Sequence, residues 1–380
     1  MKILHLISSG GFYGAESVIT ALSREQTQRY GHVVQVGVFE NEHAPANHVA
    51  DEFEARGVHV VRIPCRRRID LRTIGELRRS IYREGFDLLH THGYKADICG
   101  YLAARRMSVP LLATSHHWTG QTRAVRFYEF LDGLFLRSFD AVVAVSEKIA
   151  HELCHAGVPK DKITIIDNGI DLSRYNTMVS ERRRRDQLLI GTAGRLVEQK
   201  GMKYFLRAAQ QLLKEFPDLL FVIVGDGPDR DALEQLAKEL QIEKSVCFMG
   251  SHSDMASVYA SLDIFVLASI AEGMPMAALE AMASGLPVVA TNVGAMSKLI
   301  ISAKTGMLVQ PTNVDELAEA LVRLLRDPEL RKRVARNGKQ RVHERFSSGI
   351  MAQNYEKIYG QLMTRNSRAL GAVSVADQGA

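Results

Sequence analysis

The residues with the clearest chemical meaning are two cations and two carboxylates in the second half of the chain. Arg195 and Lys200 lie in GRLVEQKG, directly after an apolar run that predicts a strand. Glu272 and Glu280, separated by seven residues, lie in ASIAEGMPMAALEAMASGLPVVAT. Ligands of open α/β sheets bind at the carboxyl ends of strands, where two fixed cations suit a diphosphate because they neutralise charge developing on a leaving group. The alternative is an exposed charged loop.

The second motif also predicts a helix N-terminus. Gly273 and a nearby proline precede the stretch, and proline is favoured at the start of a helix. The free backbone N–H groups around Met276 and Ala277 would then point at a phosphate. Glu280 should lie inside this helix and the first glutamate before it, where carboxylates accept hydrogen bonds from sugar hydroxyls.

The first half of the chain offers histidines and glycines at predicted strand ends. His116 ends the apolar run LLATSH, and either binds a ligand or is a hydrogen-bonded structural residue. His90 and His92 are spaced like metal ligands on one face of a strand, but nothing nearby completes a coordination shell, so no metal is predicted. Gly11 and Gly14 follow the first strand and either let the backbone approach a ligand or form a tight turn.

Apolar runs must position these residues, and they alternate with amphipathic stretches in both halves of the chain. The runs are KILHLI, VVQVGVF, VHVVRI, DLLHTH, LLATSHH and AVVAVS, then LLIGTAGRL, LFVIVGDG, VCFMG, IFVLAS and PVVAT. This alternation predicts two α/β units, each with parallel strands linked by helices. We expect an N-terminal domain over residues 1–171, a linker over 172–186 and a C-terminal domain over 187–349. A helix over 350–363 should pack back on the first domain, before a disordered tail at 364–380.

Composition excludes several classes of protein. The 380 residues are 46% hydrophobic and 24% charged, which is typical of a soluble globular protein. Basic residues outnumber acidic ones by only 48 to 43, so the net charge gives no argument for a nucleic-acid partner. The four cysteines form no CxxC pair, and the N-terminus predicts a strand rather than a signal peptide. A cytoplasmic protein without a membrane span is expected.

Several short motifs, taken together, resemble one enzyme family. They are GAE at Gly14–Glu16, AVSE at Ala144–Glu147, NGID at Asn168–Asp171, VGDGP at Val224–Pro228 and SGLPVVAT at Ser284–Thr291. With the two glutamates, they resemble the retaining glycosyltransferases of family 4, also described as glycosyl transferases group 1, over residues 1–362. That resemblance implies the GT-B fold, two Rossmann-like domains facing across a cleft. Tyr13 and Lys298 depart from residues common in the family.

The resemblance also implies roles for individual residues. Arg195 and Lys200 would hold the donor diphosphate, Glu280 the ribose hydroxyls, and Glu272 the transferred sugar. His116, in a Thr-x-His setting that the family shares, would contact the same sugar. The remaining donor contacts would come from the backbone at Gly11, Gly14, Gly273, Met276 and Ala277.

The implied reaction is transfer of a sugar from a UDP- or GDP-sugar to a glycan or lipid-linked acceptor, with retention and without a metal or another cofactor. It would belong to bacterial surface polysaccharide or lipopolysaccharide biosynthesis. Two alternatives share the fold: a nucleotide-sugar 2-epimerase and a non-catalytic partner subunit. A nicotinamide dehydrogenase is disfavoured because no GxGxxG motif is present.

One stretch of the first half is strongly basic. It is CRRRIDLRTIGELRRSIYREG, with arginines from Arg66 to Arg83 at positions 66, 67, 68, 72, 78, 79 and 83. Such a face would bind an anionic membrane leaflet at about 1 kcal/mol per basic residue, which predicts peripheral association with the inner face of the cytoplasmic membrane. The alternative is a solvated helix face.

Overall fold

The computed structural model describes residues 1–41, 48–66, 70–116, 123–175 and 187–377, apart from the side chains of 123–126 and 368–377. The chain divides into two compact units. The N-terminal unit comprises Met1–Gly169 with Ser348–Ala380, and the C-terminal unit comprises Ile170–Ser347. Each unit is built on one parallel sheet.

The sheet of the N-terminal unit has seven strands in the order β3-β2-β1-β4-β5-β6-β7. They are β1 (Lys2–Ile7), β2 (Val33–Asn41), β3 (His59–Cys65), β4 (Leu88–His92), β5 (Leu111–Ser115), β6 (Ala141–Ala144) and β7 (Ile163–Ile165). The connecting helices are α1 (Gly14–Gln28), α2 (Val49–Ala55), α3 (Leu71–Glu84), α4 (Tyr94–Ala104), α5 (Arg123–Leu136) and α6 (Glu147–His155). Helices cover the sheet, so β4 and β5 are buried along their whole length.

The sheet of the C-terminal unit has six parallel strands in the order β10-β9-β8-β11-β12-β13. They are β8 (Leu189–Ala193), β9 (Leu220–Val224), β10 (Val246–Gly250), β11 (Ile264–Leu267), β12 (Val288–Thr291) and β13 (Met307–Val309). The helices are α7 (Met202–Leu213), α8 (Arg230–Glu239), α9 (Met255–Ser261), α10 (Met276–Ala283), α11 (Met296–Leu299), α12 (Val314–Arg326) and α13 (Pro328–Arg345).

Each apolar run singled out in the sequence forms a strand, which confirms the prediction of two parallel α/β units. Strands β7 and β13 are not among the predicted strands. Each has only three residues, too few for a periodic pattern.

The last helix, α14 (Ser348–Asp377), belongs to the N-terminal unit and packs on α1. Ser348 donates to Glu25 of α1 over 2.7 Å. The helix is longer than the predicted 350–363, and residues 364–377 continue it instead of forming an irregular tail. The stretch SRALGAV contains no proline, and its alanines, leucine and arginine favour helix.

The boundary between the units lies between residues 169 and 170, slightly before the predicted one. The start of the predicted linker is structured, because Leu172–Arg174 form a 3-10 turn. Tyr175 follows the turn and is buried beside Tyr259 in the C-terminal unit. Tertiary contacts, rather than local periodicity, order this polar stretch, and residues 176–186 lie outside the described part of the chain.

Within the described residues, no helix combines the length and apolar composition needed to cross a membrane.

Candidate functional site

The strand order of the C-terminal sheet reverses direction at β8 and β11. Strand β8 pairs with β9 on one side and with β11 on the other. Because the connections leave these two strands in opposite directions, the loops at their carboxyl ends separate and open a crevice, where ligands of doubly wound sheets bind. The loop after β8 carries GRLVEQKG, and the loop after β11 carries the first glutamate of the second motif.

These two loops bring Lys200 and Glu272 into contact. Nζ of Lys200 lies 2.7 Å from Oε1 of Glu272, and Oγ of Ser269 donates to the same oxygen over 2.6 Å. The Glu272 side chain is nearly buried, with 9% of its surface exposed, and the Lys200 side chain is 25% exposed. From the sequence, Lys200 is expected to bind the diphosphate of a donor and Glu272 its sugar. The structure shows them as an ion pair with one another.

A close approach of the backbone makes this pairing possible. Gly201 follows the lysine with φ 63°, and a Cβ atom there would lie 2.0 Å from the carbonyl oxygen of Ala268. Only glycine therefore fits. Gln199 reinforces the junction, since its Nε2 donates to the carbonyl of Ala271 over 3.0 Å and its carbonyl accepts from the N–H of Ile270 over 2.8 Å.

Arg195 lies in the same loop after β8, but its side chain is exposed. Among the described residues, its guanidinium has no hydrogen-bond or ion-pair partner. The structure therefore places this cation at the predicted edge of the sheet without joining it to Glu272.

Helix α10 begins at Met276, directly after Pro275, as the sequence predicted. Glu280 lies inside the helix and Glu272 precedes it. Gly273 is in the intervening loop, where its carbonyl accepts from Ala295 N–H over 2.9 Å. The N–H groups at the start of the helix, including Met276 and Ala277, have no partners within the helix, which makes this end suitable for an anion.

Two tyrosines that the sequence analysis did not single out surround Glu280. The Tyr259 hydroxyl donates to Oε2 of the carboxylate over 2.8 Å, and the Tyr175 hydroxyl also hydrogen bonds to it. Burial raises the pKa of the Glu280 carboxyl above its ordinary value of 4.5. Tyr259 looks like a core aromatic of α9 in the sequence, so no local signal identified it as a partner of the glutamate.

The N-terminal sheet reverses at β1 and β4. Gly11 lies in the loop after β1, where an added Cβ would come 2.7 Å from the Tyr13 ring, and Gly14 is the first residue of α1. The Tyr13 N–H donates to the buried Glu16 over 2.8 Å, which holds the start of the helix. His116 directly follows β5 and is partly exposed. These residues lie at strand ends, as expected.

The histidine pair of β4 has a third neighbour that the sequence did not reveal. His5 on β1 stands beside His90 in the sheet register, and ring nitrogens of His5, His90 and His92 lie within 4.8 Å of one another. The expectation that nothing completes a coordination shell was therefore wrong. Alternation along β1 and the strand order bring His5 onto the same face. The identity of this strand neighbour depends on topology rather than on local sequence.

Hydrogen bonds to protein groups occupy every ring nitrogen of this trio. Nδ1 of His5 lies 3.0 Å from Nε2 of His92, and Nδ1 of His92 lies 3.2 Å from Nε2 of His116. The outer nitrogen of His5, Nε2, lies 2.9 Å from the Gln26 side-chain oxygen. His90 contacts the hydroxyls of Tyr359 and Thr114 over 2.9 and 2.7 Å. The cluster is thus a satisfied hydrogen-bond network, and burial lowers the pKa of each histidine.

The basic stretch forms one side of a groove. Arg79, Arg83 and Arg106 line it together with Tyr82, which is 82% exposed. Arg78 is engaged differently, because its guanidinium donates to the carbonyls of Leu102 and Ala103 at the end of α4. Residues 67 and 68 of the predicted basic face lie outside the described residues.

Comparison with protein families gives two adjacent matches. Residues 12–174 match the family described as Glycosyltransferase Family 4, and residues 174–341 match the family described as Glycosyl transferases group 1. Together the matches run without a gap from the first glycine-rich loop to α13.

Two glycosyltransferases are among the similar proteins. The Escherichia coli UDP-Gal:alpha-D-GlcNAc-diphosphoundecaprenol alpha-1,3-galactosyltransferase is 27% identical over 68% of this chain and 71% of its own length. The alpha-D-kanosaminyltransferase of Streptomyces kanamyceticus is 28% identical over 75% of this chain and 80% of its own length.

The solved structures show the same fold. Anabaena HepE in complex with UDP-glucose superposes with a TM-score of 0.83 at 22% identity, covering 95% of this chain and all of that chain (100%). The two sheets with Rossmann-like strand order, the site motifs at their reversal points and the adjacent family matches agree. The chain is therefore a GT-B-fold glycosyltransferase of family 4.

Proposed function

We propose that this enzyme transfers a sugar from a UDP- or GDP-sugar to a glycan or lipid-linked acceptor, with retention of configuration and without a metal or other cofactor. The observation that carries the proposal is the pair of Lys200 and Glu272 at the reversal point of the C-terminal sheet, beside the N-terminus of α10. This arrangement offers a cation and free N–H groups that suit a diphosphate and a carboxylate that suits sugar hydroxyls, which supports the proposal.

The diphosphate would be bound by Lys200, Arg195 and the N–H groups of Met276 and Ala277. The exposed guanidinium of Arg195 is free to turn toward an anion. Lys200 holds its ammonium in place through Glu272, and an arriving phosphate would share that ammonium. Such preorganised positive charge stabilises the leaving diphosphate as the glycosidic bond to it breaks.

The glutamates would bind hydroxyl groups on either side of the diphosphate. Glu272, beside Gly273, would accept hydrogen bonds from the transferred sugar. Glu280 would accept them from the ribose, while Tyr259 and Tyr175 fix the orientation of its carboxylate. A carboxylate that already accepts from two tyrosine hydroxyls can accept further hydrogen bonds through its remaining lone pairs.

Retention would follow without an enzymic nucleophile. The bond between the anomeric carbon and the phosphate oxygen breaks, and the acceptor oxygen bonds to the same face of that carbon. The acceptor proton passes to the departing phosphate oxygen. In this scheme the glutamates are hydroxyl ligands and not the nucleophile of a double displacement.

The N-terminal unit would contribute His116 to the transferred sugar and the backbone at Gly11 and Gly14 to its surroundings. Relatives support the substrate classes. HepE binds UDP-glucose, and the Escherichia coli relative acts on a diphosphoundecaprenol-linked sugar. The proposed place of the reaction is bacterial surface polysaccharide or lipopolysaccharide assembly in the cytoplasm.

A lipid-linked acceptor would bring the enzyme to an anionic membrane surface. The groove of Arg79, Arg83 and Arg106 would face the headgroups, with Tyr82 at the interface. Flotation with phosphatidylglycerol vesicles tests this. Changing these three arginines to Gln should abolish flotation, whereas the same triple change at the exposed Arg207, Arg336 and Arg333 should not. Equal flotation of both variants would remove the membrane proposal.

Calorimetric titration and thermal-unfolding measurements with UDP, GDP, ADP and NAD, in the presence of EDTA, test the proposed donor class. One nucleoside diphosphate should bind and raise the melting temperature by mass action. Lys200→Ala and Glu280→Ala should lose this binding. Lys203→Ala is the matched control, because that partly exposed lysine pairs with Glu198 over 3.2 Å and does not contact Glu272 in the described structure. Binding of NAD alone, or of none of the four, would overturn the proposal.

A further inference from the structure

A chain of side-chain hydrogen bonds runs from His116 into the interior of the N-terminal unit. Its members are His116, His92, His5 and Gln26, joined by contacts of 3.2, 3.0 and 2.9 Å. We call this set the histidine chain. It starts directly after β5, crosses the neighbouring strands β4 and β1, and ends on α1.

The three imidazoles of the histidine chain are neutral at neutral pH. Burial lowers the pKa of His5 and of His116 to about 4 and brings that of His92 well below its ordinary value of 6.5. A neutral imidazole has one N–H donor and one bare nitrogen that accepts. Every contact along the chain therefore needs one nitrogen of each kind, so the protonation of one ring determines that of the next.

Gln26 sets the direction at the inner end. Its amide nitrogen donates to the Tyr359 hydroxyl over 2.8 Å, so its amide oxygen faces His5. That oxygen carries no proton, and Nε2 of His5 must therefore donate. Nδ1 of His5 is then bare and accepts from Nε2–H of His92.

The same rule fixes the outer end. With its proton on Nε2, His92 has a bare Nδ1, which accepts from Nε2–H of His116. His116 is left with a bare Nδ1. The same orientation of the Gln26 amide sets the side branch: Tyr359, having accepted from Gln26, donates to Nδ1 of His90, whose Nε2–H donates to Thr114.

We propose that His5, His92 and Gln26 are positioning residues that hold His116 in the Nε2–H tautomer and present its Nδ1 as a hydrogen-bond acceptor to a hydroxyl of the transferred sugar. The sugar contact rests on the proposed function, whereas the tautomer does not. His116 would then select a sugar with a hydroxyl that donates at this position. A deoxy or O-methyl sugar would lose the interaction.

The arrangement also bears on metal binding by the trio of histidines. An ion held by His5, His90 and His92 would require a lone pair from each ring. The histidine chain already uses both nitrogens of His5 and His92, and the side branch uses both of His90. Metal binding and the proposed tautomer are therefore mutually exclusive.

The direct test is long-range ¹H–¹⁵N correlation spectroscopy of the full chain with ¹⁵N-labelled histidine, without donor. His116 is assigned by the signal that His116→Asn removes. We expect the Nε2–H tautomer in the unmodified protein at pH 7.5. The Nδ1–H tautomer, an imidazolium, or stoichiometric zinc in elemental analysis of the purified protein would overturn the proposal.

Variants test whether the histidine chain sets that tautomer. Gln26→Leu removes the amide oxygen, and His5→Phe removes the next acceptor, so either should give a mixture of tautomers at His116. An unchanged His116 spectrum in a folded variant would contradict the inference. At position 92, Asn retains an amide oxygen near the position of Nδ1 and should keep the tautomer, whereas Leu should lose it.

Transfer assays distinguish a positioning role of His92 from a merely structural one. His92→Leu should lower kcat/KM roughly tenfold, the value of about one hydrogen bond, and His92→Asn should restore most of it. A deoxy donor lacking the selected hydroxyl should be insensitive to His92→Leu. If His92→Leu and His92→Asn lowered kcat/KM equally, with the full donor and with the deoxy donor, the role of His92 would be merely structural. If the tautomer is as expected but no nucleotide binds, the sugar contact fails with the proposed function and the tautomer assignment stands.

Discussion

Nζ of Lys200 and Oε1 of Glu272 are 2.7 Å apart, although the two residues are 72 positions apart in the chain. Each belongs to a different motif, and both lie in loops at the reversal point of the C-terminal sheet. The contact keeps an ammonium in a half-buried loop before any substrate arrives. A site prepared in this way avoids reorganising its charges during the reaction.

Removal of this ammonium should weaken donor binding and also slow the chemical step. We expect Lys200→Ala to lower kcat/KM by roughly 10²- to 10³-fold, as loss of a preorganised charge at a leaving group does elsewhere. Steady-state kinetics with the preferred donor measures this. Lys203→Ala, three residues along on the surface, should stay within twofold of the unmodified enzyme, about the scatter of a surface change. Equal kinetics for both variants would contradict the assignment of Lys200.

Nucleotide affinity should depend on the protonation of Glu280. Its folded pKa lies above 4.5 because the carboxyl is buried, and only the carboxylate accepts from two ribose hydroxyls. Affinity should therefore fall as the pH decreases, beginning at a higher pH than an ordinary glutamate would give. Calorimetry between pH 8 and 5 should show the decrease, and Glu280→Gln should bind more weakly but with a flat profile. A matching decrease in Glu280→Gln would place the titration elsewhere.

A second buried carboxyl should limit stability at neutral pH. Asp97 of α4 is 2% exposed, and burial together with the adjacent Asp132 raises its pKa well above 3.8. Above pH 3.8 the unfolded chain releases this proton while the folded chain retains it, so the free energy of unfolding falls as pH rises toward the folded pKa. Asp97→Asn should therefore raise the melting temperature at pH 7.5.

The gain should shrink as the pH falls toward 3.8, because below that pH Asp97 is protonated in both the folded and the unfolded chain. Asp161→Asn removes the same formal charge from an exposed residue and should change the free energy of unfolding by less than about 0.5 kcal/mol. Differential scanning fluorimetry at several pH values compares the two. A lower melting temperature for Asp97→Asn at pH 7.5 would show that the Thr91–Asp97 hydrogen bond outweighs the cost of burying the acid.

The close approach at Gly201 should make this position intolerant of a side chain. Gly201→Ala places a Cβ 2.0 Å from the Ala268 carbonyl oxygen in a left-handed backbone conformation. The conformation alone costs about 1–3 kcal/mol, and displacement of the loop should also weaken nucleotide binding. Gly360→Ala, in α14 with no atom near the added Cβ, should instead stabilise by roughly 1 kcal/mol. Denaturant unfolding measures both changes in the free energy of unfolding, which should have opposite signs.

Metal removal should leave transfer unchanged. The proposed charge stabilisation comes from Lys200, Arg195 and a helix terminus, which replace the role a divalent ion plays in other transferases. Protein dialysed against EDTA should turn over its donor at the same rate as untreated protein. A loss of rate that Mg²⁺, Mn²⁺ or Zn²⁺ restores would contradict metal independence.

Much of the site could be predicted from the sequence, because short motifs of neighbouring residues define it. The spacing of Glu272 and Glu280 and the glycine and proline before Met276 predicted the start of α10 and the place of each carboxylate. Runs of five or six apolar residues predicted the longer strands for the same reason. The three-residue strands β7 and β13 have no such pattern, so the sequence analysis did not find them.

The partners of these residues could not be predicted in this way. Tyr259 reaches Glu280, and His5 joins His92, because of the order in which strands and helices pack. The C-terminal helix supplies Tyr359 to a network that begins on β1.

The sequence by itself thus determined the family, the two α/β units and the chemical groups at their strand ends, since periodicity and short motifs depend on neighbouring residues. Only the tertiary structure decided that Lys200 pairs with Glu272 and that His116 is the outer member of a buried chain of histidines. Those contacts form between segments that are far apart in the chain. Which side chains meet there depends on the strand order, and residue spacing within one segment does not reveal it.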